Sequence, residues 1–177
     1  TAYLPFTGSD IFRNRLQGQY LLSDIYIEDT NGIQLDYRTD AYVTAVYNYT
    51  EFQRPDVIFT GSYEDFGKDA DGDGNYDYLT VLVEVDALSP GYYRLAGGLY
   101  DNQGLCIAFE TEYAYLDLGT QVIELNFEGG TIYSKRVNGP YQINKLYIAT
   151  RDEIQIDYLS QPTGVYETAT YNWTNFQ

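Results

Sequence analysis

Tyr78-Leu79-Thr80-Val81-Leu82-Val83-Glu84-Val85-Asp86 decides the class of fold. Val81, Val83 and Val85 alternate with Leu82, Glu84 and Asp86. A period of two places one set on each face of an extended strand. β-Branched valines suit that pleated surface. Outward in both directions the pattern recurs in residues 57–63, 92–100, 105–116, 121–127, 141–150 and 153–159, all rich in Tyr, Val, Ile, Phe and Thr. Turn formers separate them: Ser89-Pro90-Gly91, Asp101-Asn102-Gln103-Gly104, Gly129-Gly130 and Asn138-Gly139-Pro140. No window of a dozen residues carries helical periodicity, although single turns fit Asp10–Arg13 and Thr131–Ser134. Short strands at this spacing predict an all-β fold, an antiparallel β-sandwich or jelly roll.

The chain also repeats itself. Residues 6–37 align without a gap on 127–158, pairing Phe6 with Phe127, Gly8 with Gly129, Tyr20 with Tyr141, Ile27 with Ile148 and Asp36 with Asp157. After a three-residue insertion, residues 42–53 align on 166–177 and end on Gln53 and Gln177. We call the recurring piece the A segment and the intervening piece, 54–121, the B segment. The order A–B–A predicts a half repeat in 1–53 and a complete repeat in 54–177, the latter made of 54–121 plus 122–177. Gln53-Arg54-Pro55-Asp56 is the expected junction. An unpartnered half exposes open edges and an apolar face. Three arrangements fit: a slice of a tandem array, a half that docks head-to-tail on a neighbouring molecule and builds a filament, and two similar sheets packed within one monomer. The absence of methionine indicates a processed chain or part of a longer one.

Residues 69–77 read Asp-Ala-Asp-Gly-Asp-Gly-Asn-Tyr-Asp. Asp69, Asp71 and Asp73 occupy alternate positions, Gly74 permits a sharp turn, Asn75 offers a backbone carbonyl, and Asp77 follows two residues on. Alternate oxygen donors on a tight loop converge on one hard cation, which predicts Ca²⁺ as cofactor. It is no ordinary EF-hand, because Thr80 stands where the bidentate glutamate would be and a strand follows. Glu64, Asp65, a backbone carbonyl or water is expected to complete the shell. Six acids and one base between Glu64 and Asp77 repel one another without a cation. The expected role is structural, pinning a long loop between strands.

Composition narrows the function. The 177 residues carry 26 acidic and 10 basic side chains, 21 tyrosines, one cysteine and no histidine. Lack of histidine removes Ser-His-Asp and Cys-His catalysis and His-ligated zinc. A charge of −16 argues against nucleic acid as partner. No apolar run approaches 18 residues. Most tyrosines fit half-buried strands, with the hydroxyl at water. Cys106 between apolar neighbours reads as a buried small hydrophobe, and Glu110 and Glu112 read as an exposed strand face rather than a glycosidase pair. Asn48-Tyr49-Thr50 and Asn172-Trp173-Thr174 are glycosylation sequons at one repeat position, read as extended chain with Asn48 and Thr50 on the outer face.

The loop resembles the calcium loops of FG-GAP repeats, but a single copy argues against a propeller. The wider motifs are D-x-D-G-D-G-x-Y-D-Y-L (69–79), P-G-Y-Y-R-L-x-G-x-L-Y-D (90–101), L-x-L-G-T-Q-x-I-x-L-N-F-x-G (116–129), V-N-G-P-Y-x-I (137–143) and A-x-Y-N-W-T-x-F (169–176). Together they resemble the calcium-binding β-sandwich modules of large secreted and cell-surface proteins of archaea and bacteria, some of them downstream of subtilisin-like proteases. The resemblance implies an extracellular setting, a β-sandwich and structural Ca²⁺, without protease activity. The expectation is therefore a non-enzymatic extracellular structural protein, with copies of itself or adjacent repeats as partners and assembly into a surface array or fibril. The alternative is an accessory module of a secreted hydrolase that binds carbohydrate or cell wall through exposed tyrosines.

Overall fold

The computed structural model describes residues 3–177. The chain forms two compact units, Thr1–Arg54 and Pro55–Gln177. The first contains helix α1 (Gly8–Asn14) and strands β1 (Gly18–Leu22), β2 (Ile25–Glu28), β3 (Gln34–Arg38) and β4 (Tyr42–Tyr47). β1 pairs with β4 and β2 with β3, both antiparallel. A 3₁₀ turn spans Tyr49–Glu51.

The second unit is an antiparallel β-sandwich. β5 (Val57–Lys68), β6 (Tyr78–Ala87) and β9 (Gly119–Glu128) make a three-stranded sheet in the order β5-β6-β9. β7 (Gly91–Tyr100), β8 (Cys106–Leu116), β10 (Gln142–Thr150), β11 (Gln155–Leu159) and the short β12 (Tyr166–Glu167) make the other, in the order β11-β10-β7-β8 with β12 also on β10. Helix α2 (Gly129–Lys135) leaves the end of β9, and a second 3₁₀ turn spans Trp173–Asn175.

The core lies between the two sheets. The alternation of β6 buries Leu79, Val81, Val83 and Val85 completely, and β9 adds Ile123, Leu125 and Phe127. The facing sheet contributes Leu95, Leu99, Ile143, Leu146 and Ile148, all fully buried. The central strand β7 is covered on both faces over Leu95–Leu99. Gly97 sits there because any Cβ would stand 2.6 Å from a Leu146 methyl and 3.1 Å from one of Leu125. Two carboxylates fasten the A segment to the B segment. Asp157 is fully buried and accepts from the backbone N–H of Phe59 at 3.1 Å and of Tyr158 at 2.9 Å. Asp65 accepts from the hydroxyls of Tyr166 and Tyr171 at 2.6 and 2.7 Å and from the Ala169 N–H at 3.1 Å. Burial raises both tyrosine pKa values, and the Asp65 carboxylate adds to the shift.

The two A segments share their local structure. Both helices end on an arginine in the left-handed region, Arg15 and Arg136. The Tyr20 hydroxyl donates to the Leu16 carbonyl at 2.9 Å, as Tyr141 does to Val137 at 2.8 Å. The Tyr20 N–H donates to Thr44 Oγ1 and the Tyr141 N–H to Thr168 Oγ1, each at 2.9 Å. The β2–β3 register repeats that of β10–β11, down to the irregularity after Ile27 and after Ile148. Burial differs: Phe127 and Ile148 are 0% exposed, whereas Phe6 is 67% and Ile27 is 59% exposed.

Three expectations are corrected. The sequon asparagines do not lie in extended strands. Asn48 begins a 3₁₀ turn, its Oδ1 accepting from the Thr50 N–H at 3.1 Å, while Glu51 reaches back to the Asn48 N–H at 2.9 Å. Cys106 is exposed, because the β7–β8 register slips between Leu99 and Tyr100 and turns the first residue of β8 outward while Ile107 and Ala108 are buried. Glu110 and Glu112 are half-buried rather than exposed, in step with Ala114 and Leu116 on the inner side of β8.

Replacing Asp157 with alanine strands the Phe59 N–H in the core, and should lower the unfolding free energy by about 1–3 kcal/mol. The matching change at exposed Asp36 should stay within about 0.5 kcal/mol. Urea unfolding of the two variants measures the difference.

Candidate metal centre

The loop joining β5 to β6 turns on itself through two glycines at positive φ, Gly72 (81°) and Gly74 (97°). L-residues with a Cβ rarely adopt that conformation. The turn aims backbone N–H groups at the loop's own carboxylates. Asp69 accepts from Gly72 at 2.7 Å and from Gly74 at 2.9 Å, one bond to each oxygen. Asp77 accepts from the Ala70 N–H at 2.6 Å and Asp71 from the Asp73 N–H at 3.1 Å. Asp69, Asp71 and Asp77 thereby bring one carboxylate oxygen each within 4.8 Å of one another, a group that could hold a metal ion.

Asp73, singled out with them by spacing, stands outside that group of carboxylates. Asp73 accepts from the Asn75 N–H at 2.8 Å and from Gln177 Nε2 at 2.8 Å, and these two bonds hold its pKa below the usual value. Asn75 donates through Nδ2 to Gln177 Oε1 at 3.4 Å. Asp65, considered as a further ligand, is instead spent on Tyr166, Tyr171 and Ala169, and Glu64 is exposed on β5. Thr80 is buried, its hydroxyl donating to Asn126 Oδ1 at 2.7 Å.

Gln177 is the residue that spacing missed. The Tyr76 N–H donates to the Asn175 carbonyl at 2.6 Å, and the Gln177 N–H returns to the Tyr76 carbonyl at 3.2 Å. A Cβ on Gly129 would lie 2.3 Å from the Tyr76 carbonyl oxygen and 2.7 Å from that of Gln177. The strand leaving the loop is thus threaded between α2 and residues 175–177. The recurrence of Gly8 with Gln53 and of Gly129 with Gln177 was the available signal.

A second acidic group combines half-buried Glu110 and Glu112 with exposed Glu128. Glu110 faces Glu112 and Glu128, and its pKa is raised, first by desolvation and then by those two charges. Asn126 bridges this group, donating to Glu112 at 3.4 Å while accepting from Thr80. The outer face of the larger sheet is aromatic. Tyr92, Phe109, Tyr113 and Tyr115 are all exposed. Tyr92 meets Tyr115 edge-on at 5.1 Å, Phe109 stacks on Tyr147 at 6.4 Å, and the Arg94 guanidinium lies 5.3 Å over the Tyr147 ring. Among the described residues, no helix is long and apolar enough to cross a membrane.

No family model matches the chain, and no curated protein does. Several solved structures show partial likeness, among them these three. A DUF4785 family protein from Legionella pneumophila is 16% identical with a TM-score of 0.45, over 85% of this chain and 35% of that one. A calcium-binding mutant of Bacteroides uniformis β-glucuronidase 2 is 11% identical with a TM-score of 0.42, over 91% and 25%. A candidate β-galactosidase from Bacteroides fragilis is 18% identical with a TM-score of 0.38, over 84% and 28%. The chain spans about a third or less of each protein, and likenesses of this depth carry no argument about function.

A carboxyl whose folded pKa is raised favours the folded state while protonated, and that contribution is lost as pH rises through the folded value. Glu110→Gln should therefore melt higher than the parent at pH 7, with the gap closing as pH falls below the ordinary glutamate value of about 4.3. Thermal melts across that range check the trend; a gap independent of pH contradicts it.

Proposed function

We propose that the chain is a non-catalytic β-sandwich module of an extracellular protein, stabilised by one Ca²⁺ on the β5–β6 loop. The convergence of Asp69, Asp71 and Asp77 carries this reading. All three donors are hard anionic oxygens already oriented by backbone N–H groups, the donor set that Ca²⁺ prefers. The ion would sit where β5, β6 and the last residues meet, so its role is to fasten residues 173–177 to the loop through Gln177 and Tyr76. An extracellular setting fits such a site, since calcium is abundant there and weak sites fill. Glycans on Asn48 and Asn172 belong to the same reading.

Calcium titrated into the protein should bind at one site, and a 100-fold excess over Kd should stabilise it by about 2.7 kcal/mol. Asp71→Asn and Asp77→Asn should weaken binding at least tenfold. Chelation should speed amide exchange at Tyr76 and 175–177 while leaving β7 protected. An unchanged melting temperature on chelation of the calcium-loaded protein would sink the reading.

One observation favours a second role, carbohydrate binding on the aromatic outer face. Exposed tyrosine rings offer apolar faces for sugar C–H groups, and Arg94 and Arg151 supply donors. Polysaccharide pull-down should be lost in a Tyr92→Ala, Tyr113→Ala double variant. Failure of the parent to bind any of a broad polysaccharide panel at high concentration removes this role without touching the metal.

A further inference from the structure

We propose that residues 3–53 are a preformed receiver for a second B segment, a run of strands of the same kind as 55–121, joined directly ahead of Thr1 in the same polypeptide. The proposal is independent of calcium and deepens the reading of the chain as a module of an extracellular protein, on which it rests.

The second A segment shows what the first is built to hold, because four of its attachments to the B segment recur. The first is apolar. Leu125, Phe127 and Ile148 are fully buried, whereas their counterparts Leu4, Phe6 and Ile27 are 57%, 67% and 59% exposed. Large apolar side chains exposed where their equivalents are fully buried mark an interaction surface.

The second is a backbone edge. β10 is hydrogen-bonded to β7 of the B segment from Gln142 to Thr150. The counterparts of β10 are β1 and β2, which pair only with β4 and β3 among the described strands. Their other edge is open to an added strand.

The third is a pair of polar sockets. Asp157 uses one oxygen on the Tyr158 N–H and the other on the Phe59 N–H of the B segment. Asp36 makes the first bond identically, to the Tyr37 N–H at 2.9 Å, and lies 3.6 Å from exposed Arg38 with its other oxygen. Asp65 of the B segment is held by Tyr166, Ala169 and Tyr171. The counterparts Tyr42, Ala45 and Tyr47 are the same three residue types, and both tyrosines are exposed.

The fourth is the loop grip. Gly129 and Gln177 clasp the strand that leaves the acidic loop, and Gly8 and Gln53 repeat them.

Stoichiometry and sequence choose the source. The chain holds two A segments and one B segment, so any exchange between copies of it leaves one A segment uncovered. Leu4 and Phe6 repeat the two-residue spacing of Leu125 and Phe127, the end of the strand by which the B segment runs into α2. The register places Thr1 at the position of Val122, directly after a residue equivalent to Gln121.

The test is a chain in which residues 55–121 are joined ahead of the full 177-residue protein, compared with that protein alone. Amides of residues 19–47 should gain at least 100-fold in exchange protection, a second cooperative unfolding transition should appear, and binding of an apolar dye should fall. Asp36→Ala should lower the midpoint of the new transition by about 4–8 °C in the joined chain and leave the 177-residue protein unchanged. Protection of β6 and β7 in the original sandwich serves as the folding control. With that control intact, unaltered exchange in 19–47 overturns the proposal. So does a 177-residue protein that sediments as a dimer with those amides already protected, which would make a second copy the occupant. Loss of calcium stabilisation with these gains retained would refute the metal reading alone.

Discussion

An A segment has an apolar face that it cannot bury by itself, and this constraint organises the protein. In 122–177 the face is closed by strands of the B segment, and Leu79, Val81, Val83 and Val85 meet Ile143, Leu146 and Ile148 with no exposure on either side. Apolar contact is strong but non-directional. Direction comes from Asp157 and Asp65, each reaching across from one segment to donors on the other. A buried carboxylate is tolerated only when its oxygens are bonded. These two are bonded in only one register, so they fix how the sheets slide on one another.

The all-β class was legible because alternation is a local signal. Val81, Val83 and Val85 fall on one face however the chain folds elsewhere, and the Ser89-Pro90-Gly91 and Asp101-Asn102-Gln103-Gly104 turns stand between strands as read, while Asn138-Gly139-Pro140 follows helix α2. What escaped the reading depends on partners distant in sequence. Asp65 looks like one more acid beside an acidic loop until Tyr166 and Tyr171 arrive more than a hundred residues later. Glu110 and Glu112 look solvated in an acidic chain, but register with Ala114 and Leu116 turns them inward. Cys106 sits among apolar letters, and a single slip of register at Tyr100 faces it outward. Asn48 and Asn172 follow strand-like residues, but Glu51 and Asn175 close back on their N–H groups and wind the chain into 3₁₀ turns.

The acidic loop illustrates how far a spacing rule reaches. Alternation of aspartates predicts convergence, and Asp69, Asp71 and Asp77 do converge. Spacing treats Asp73 as their equal, yet Gln177 draws it toward the end of the chain. The loop's backbone donors orient the three carboxylates, so a cation bound there would meet a site whose ordering cost is already met. Mutual repulsion of the carboxylates would then favour such an ion, since neutralising them removes an unfavourable term from the folded state.

Carrying the same segment in two settings separates what the A segment encodes from what its neighbour supplies. The left-handed caps at Arg15 and Arg136, the tyrosine hydroxyl bonds to Leu16 and Val137, the threonine clamps and the slipped hairpin are present in both. None of them requires the B segment. Burial of Phe127 and Ile148, the β7 edge and the second bond of Asp157 do require it, and these are the features the first copy lacks. The segment's shape is therefore set locally while its stability is supplied from outside. A face ordered in that way would lose little entropy on being covered.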